Sequence, residues 1–215
     1  MTYAYTNFGI ILDAQKRNDE ALIYYEKALP SLIEIASKSP EVVEYQLDLA
    51  EAYAWLADAF LYEDLEKSIN FRTDQIQVYD GLRNAMANDK QLAHRNITGH
   101  AGLARAQYLI KNYEETKRIV DEILPKSIEL VNFEKNNSEW LSTLTILHLI
   151  RFETSLAQKD DNEARHDLSE LDRYESKLRQ LTNNEAGYFG VYKSRSFRAR
   201  EKYIVEFKER KRNDR

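Results

Sequence analysis

A 48-residue beat runs through this chain and restricts it to stacked, self-similar units. Tyr53, Leu56, Ala57 and Phe60 fall at relative positions 0, 3, 4 and 7, one face of a helix. One period earlier stand Tyr5, Phe8, Gly9 and Leu12. One and two periods later stand Ala101, Ala104, Arg105 and Tyr108, then Leu149, Phe152, Glu153 and Leu156. A further step reaches Phe197, Arg200, Glu201 and Ile204, where the pattern weakens. The breakers keep the same time: Pro40, Asn88, Asn136 and Asn184 recur at the 48-residue interval among turn-forming neighbours. Short polar stretches halfway through each unit (KRNDE, YED, KNYEE, KDDNE) mark a second turn. Each unit therefore reads as helix, turn, helix, turn, with helices of ~20–23 residues. Six glycines and three prolines argue against an all-β fold, which needs Gly, Asn or Pro at every hairpin. The units span about 1–39, 40–87, 88–135 and 136–183, and a capping helix follows over 185–212.

The first unit, NFGIILDAQKRNDEALIYYEKAL (7–29), resembles a tetratricopeptide repeat. Phe8-Gly9, Leu12, Ala21, Tyr25 and Ala28 match that motif's large–small pair, aromatic, close-contact alanine and second-helix knobs. Small side chains at 9, 21 and 28 let two antiparallel helices approach while the bulky ones interlock. The match is fair in the second unit (Leu56-Ala57, Phe60, Ser68). It degenerates in the later second helices, with Thr116, Val120 and Ile123, then Ala164, Leu168 and Leu171. The longer period is similar to a long-helix bacterial variant, whose wording SPEVVEYQLDLAEAYAWLADAF follows closely. The resemblance implies an all-α, right-handed α-solenoid of four antiparallel helix pairs plus a C-terminal capping helix, a single array over 1–215. Pro30 and Pro125 are equivalent, and an interior proline predicts a kinked second helix in units one and three. The short first helix suggests an array that starts mid-repeat, as part of a longer protein.

Signatures of catalysis are scarce. There is no GxSxG, GxGxxG or GxxxxGK(S/T) run, and no two of His94, His100, His148 and His166 sit four residues apart. No cysteine is present, which removes disulfides and thiolate-bound zinc and fits a reducing cytoplasm. No apolar stretch is long enough to span a membrane. His100 and His148 are repeat-equivalent, yet no matched carboxylate accompanies them, so neither a metal nor a cofactor is expected. Asp48, Glu51 and Asp58 read as a solvated helix face. The expectation is a non-enzyme.

Solenoids offer a groove instead. The family's groove register, carried over, points to Tyr3, Thr6 and Ile10, then Glu51, Ala54 and Asp58. Gly99, Gly102 and Ala106 follow, then Leu147, Ile150 and Thr154, and Arg195, Arg198 and Lys202 on the last helix. Gly99 and Gly102 each cost a helix about 1 kcal/mol against alanine, so a ligand or another helix approaches closely there. Charge is uneven. Residues 186–215 hold ten Lys/Arg against four acids, and with the chain at −5 the first 185 residues carry −11. The basic helix reads as a solvated cap, as a groove wall favouring an acidic partner, or as a nucleic-acid contact that the acidic body argues against. A protein or peptide held in the groove is the expected partner, with a regulatory or sensor role implied by resemblance to larger bacterial proteins. A small-molecule or nucleotide sensor with a pocket at Gly99 and Gly102 is the alternative. Exposed array edges leave room for a homodimer.

Overall fold

The structure is a computed structural model and describes residues 2–83, 88–182 and 205. Among the described residues there are eight α-helices and no strand. These are α1 (Thr2–Ala14), α2 (Asn18–Lys38), α3 (Val43–Phe60), α4 (Leu65–Leu82), α5 (Lys90–Leu109), α6 (Tyr113–Phe133), α7 (Ser138–Gln158) and α8 (Asp161–Leu181). They gather into two compact units, Met1–Lys111 with α1–α5 and Asn112–Arg215 with α6–α8. The division falls in the turn halfway through the third sequence repeat. Within each unit every helix packs on its neighbours in sequence, consistent with a helical repeat. Apart from Val205, the predicted capping helix 185–212 lies outside the described residues, as does the breaker Asn184.

The breakers sit where the period puts them. Pro40, Asn88 and Asn136 lie in the turns before α3, α5 and α7. Of the helices that follow, α5 and α7 are capped by short acceptors: the Leu92 amide donates to Asp89 at 2.9 Å and the Trp140 amide to Asn137 at 3.1 Å. Asp64 and Asp160 do the same for α4 and α8. Each such cap stabilises its helix by about 1 kcal/mol. Both α2 and α6 run as unbroken α-helix through Pro30 and Pro125, which lie at exposed positions.

The halfway turns use a device that the sequence does not announce. Lys16, Lys111 and Lys159, at matching places in three repeats, hold φ near 62–63°. The Lys159 amide bonds the Leu156 carbonyl at 3.2 Å and the Asp160 amide bonds Ser155 at 2.9 Å. Lys16 and Arg17 repeat this at the end of α1, on Asp13 and Leu12. This pair of bonds is a Schellman cap, which satisfies end carbonyls but needs a left-handed residue. A side chain there costs about 1 kcal/mol or more. Lys159→Gly is expected to raise stability by about 0.5–1 kcal/mol, after the extra chain entropy of glycine is subtracted. Thermal denaturation checks it, and a lowered midpoint would show that the lysine stem contributes more than the strain.

Helix pairs close on one small residue each. Ala21, Ser68, Thr116 and Ala164 are equivalent positions, and all are at most 1% exposed. Ala21 packs with Leu12, Tyr25, Leu56 and Phe60, and Ala164 with Leu149, Phe152, Leu156 and Leu171. The Ser68 hydroxyl donates to the Ala57 carbonyl at 2.7 Å, so the polar variant of this position is satisfied. Leu56, Ala104 and Phe152 are fully buried, because α3, α5 and α7 each carry the preceding helix on their flank. Their equivalent Phe8 on α1 is 55% exposed and stacks on Tyr24. No described helix is long and apolar enough to cross a membrane.

Candidate functional site

In the first unit α3 and α5 are the first helices of successive repeats, and an ion pair joins them: Arg95 donates to Glu51 at 2.8 Å. Two turns along α3, Asp58 pairs with Arg72 of α4. Glu51 and Ala54 are half-buried and Asp58 is exposed, so these three expected groove residues share one accessible helix face. Thr6 is buried and Ile10 exposed on α1.

Arg72 organises what lies beneath. Its guanidinium is buried, donates to Gln75 at 2.7 Å and to Asp58, and lies against Gly102 of α5. A Cβ built on Gly102 would stand 2.7 Å from the Arg72 Cζ. One on Gly99 would stand 3.3 Å from the Gln75 side-chain oxygen. The two glycines are therefore the seat of α4 side chains, and the close approach is intramolecular. Tyr79, one turn further, has its hydroxyl pushed up by burial, so it stays a neutral phenol at physiological pH. Ala106 is fully buried beyond them.

The second unit distributes its expected residues differently. Leu147, Ile150 and Thr154 lie in the interior, for α7 buries residues around its whole circumference. Thr154 returns its hydroxyl to the Ile150 carbonyl at 2.8 Å. Beside them is a polar cluster that periodicity did not single out. Asp167 of α8, fully buried, accepts both Arg151 Nε contacts at 2.8 and 2.9 Å and meets His148 Nδ1 at 3.1 Å. Arg151 also reaches Asp121 of α6 at 3.4 Å. Burial pushes the Arg151 guanidinium down, but the Asp167 bonds and charge outweigh it and its pKa is raised overall. The cluster ties α6, α7 and α8 together.

Among the described residues no three of His, Asp and Glu converge as a metal site. His100 bonds its own helix through the Asn96 carbonyl at 3.0 Å. Arg72 and Asp167 are the structurally active residues that sequence reasoning missed. The signal for Arg72 was indirect: paired glycines within α5 demand something bulky on the helix that precedes it. Tyr3, Arg195, Arg198 and Lys202 lie outside the residues whose side chains are described. No protein-family model matches the chain, and no characterised protein matches its sequence.

Proposed function

We propose that this chain is a non-catalytic protein–protein interaction module, a right-handed helical solenoid similar to the tetratricopeptide family, holding a peptide or helix on the α3–α5 face. The observation that carries the reading is the Glu51–Arg95 bridge, which links two successive first helices. Across that face Glu51, Ala54 and Asp58 run at helical spacing, with a small residue between two charges. A small centre admits a partner's side chain or backbone, and flanking charges orient it. Arg72 and Gln75 fill the space at Gly99 and Gly102, which supports a surface rather than an enclosed ligand pocket there. Preference for an acidic partner rests on Arg195, Arg198 and Lys202.

The test adds bulk without removing a contact. Nuclease-treated lysate of the native host is passed over wild type, Ala54→Arg and Arg198→Glu/Lys202→Glu, and captured proteins are quantified. A specific partner is expected to fall about tenfold or more with Ala54→Arg at an unchanged melting temperature, a loss of about 1.4 kcal/mol. Equal capture by that variant overturns the α3–α5 face. Loss only in the double variant moves the site to the terminal segment.

A further inference from the structure

The geometry points to a binding site for a small phosphate-bearing anion in the second unit, between the last turn of α6 and the middle of α8. A cavity of about 260 Å³ is lined there by Val131, Asn132, Lys135, Arg173, Tyr174 and Lys177. Its size is just below the usual range of small-molecule sites, about 300–1,000 Å³, and suits only a small ligand. Three of its six residues are cations. Arg173 leans on Glu170 at 3.4 Å, an exposed and weak pairing. Lys135 and Lys177 have no ion-pair partner among the described residues. Like charges gathered at one concavity repel, and a bound anion would relieve that repulsion.

The wall of the cavity is built rather than incidental. Tyr174 stacks on His148, ring centres 5.4 Å apart and planes 24° apart, and His148 is anchored by buried Asp167. The Arg173 guanidinium lies on the Tyr174 ring at 5.4 Å. The aromatic wall is thus fixed from the core outward while the cationic side chains remain adjustable. The ammonium groups of Lys135 and Lys177 supply charge, Arg173 and the Asn132 amide supply directional donors, and Val131 offers an apolar contact for a ligand's carbon part. A phosphate, free or on a small sugar or similar metabolite, matches that set. Two acids flank the site: Glu134 accepts from Asn137 at 3.2 Å, and Glu170 faces Arg173 at 3.4 Å and the Tyr174 hydroxyl, so three cations against two acids leave an excess of one positive charge.

The experiment is an amide NMR titration of the full chain with inorganic phosphate and, separately, with a sugar phosphate, in a chloride buffer of low ionic strength. Saturable shifts confined to residues near 131–135 and 173–177 are expected, weakening as salt is raised. Tighter binding of the sugar phosphate assigns the source as a phosphorylated metabolite; equal binding assigns free phosphate. Lys135→Gln/Lys177→Gln removes two charges that hold no ion pair among the described residues. It is expected to weaken binding by about 25-fold, about fivefold for each charge near 4 Å. Absence of shifts with both probes, or unchanged affinity in the double variant, overturns the site.

Discussion

Asp167→Ala is expected to destabilise the second unit by about 3–5 kcal/mol, more than any other single change argued for this chain. The carboxylate is fully buried and answers two groups at once, the Arg151 guanidinium and His148 Nδ1. Removing it leaves a largely buried cation with only the 3.4 Å contact to Asp121, and a buried ring nitrogen without an acceptor, and that desolvation costs more than the lost bonds. The pair itself adds little net stability, since both charges gave up water to form it. Arg151→Met/Asp167→Leu should therefore be less harmful than Asp167→Ala alone, because no charge is left behind. The chain's two tryptophans separate the units, with Trp55 on α3 and Trp140 on α7. In a Trp55→Phe background, urea unfolding followed by Trp140 fluorescence reads the second unit. A double variant less stable than the single would show that the ion pair is itself a net source of stability. Wild-type stability in Asp167→Ala would remove the cluster from any role in holding α6, α7 and α8.

The repeat was legible because its physics is local. A helix ends where Pro40, Asn88 and Asn136 stop it, and two helices meet closely only where Ala21, Ser68, Thr116 or Ala164 leaves room. The lysine caps were hidden for the opposite reason. A left-handed residue is a demand of the backbone, and glycine usually announces it, whereas Lys16, Lys111 and Lys159 meet it at a cost without a signature. On α3 the register separates an accessible stripe, Glu51, Ala54 and Asp58, from a buried one. On α7 the same register points to Leu147, Ile150 and Thr154, which lie in the interior. A stripe argument does not distinguish a helix covered on one side from one covered all round. Arg72 and Asp167 act across helices, through contacts that exist only once packing has chosen neighbours, so no spacing within one helix encodes them.

The helical glycines turn that distinction into opposite expected signs. Alanine favours a helix over glycine by about 1 kcal/mol at any open position. Gly81, at the exposed end of α4, has nothing within 4 Å of where a Cβ would go, and Gly81→Ala is expected to stabilise by about 0.5–1 kcal/mol. At Gly9 the same methyl would overlap the Tyr25 ring, with Cδ1 at 2.6 Å and Cζ at 3.0 Å. Tyr25 has nowhere to go. It is 2% exposed and stacks on Trp55, ring centres 5.2 Å apart. Burial, helped by Asp13, pushes its hydroxyl up to about 12. Overpacking such a core costs about 1–3 kcal/mol, occasionally more, and exceeds the propensity gain. Gly9→Ala is therefore expected to destabilise the first unit by about 1–2 kcal/mol and to shift Trp55 emission, leaving Trp140 unfolding unchanged. The two variants then differ by about 1.5–3 kcal/mol although their chemistry is identical. A stabilised Gly9→Ala protein would mean that α1 moves away from Tyr25 at negligible cost, and that the large–small pair Phe8-Gly9 does not set how α1 packs on α2.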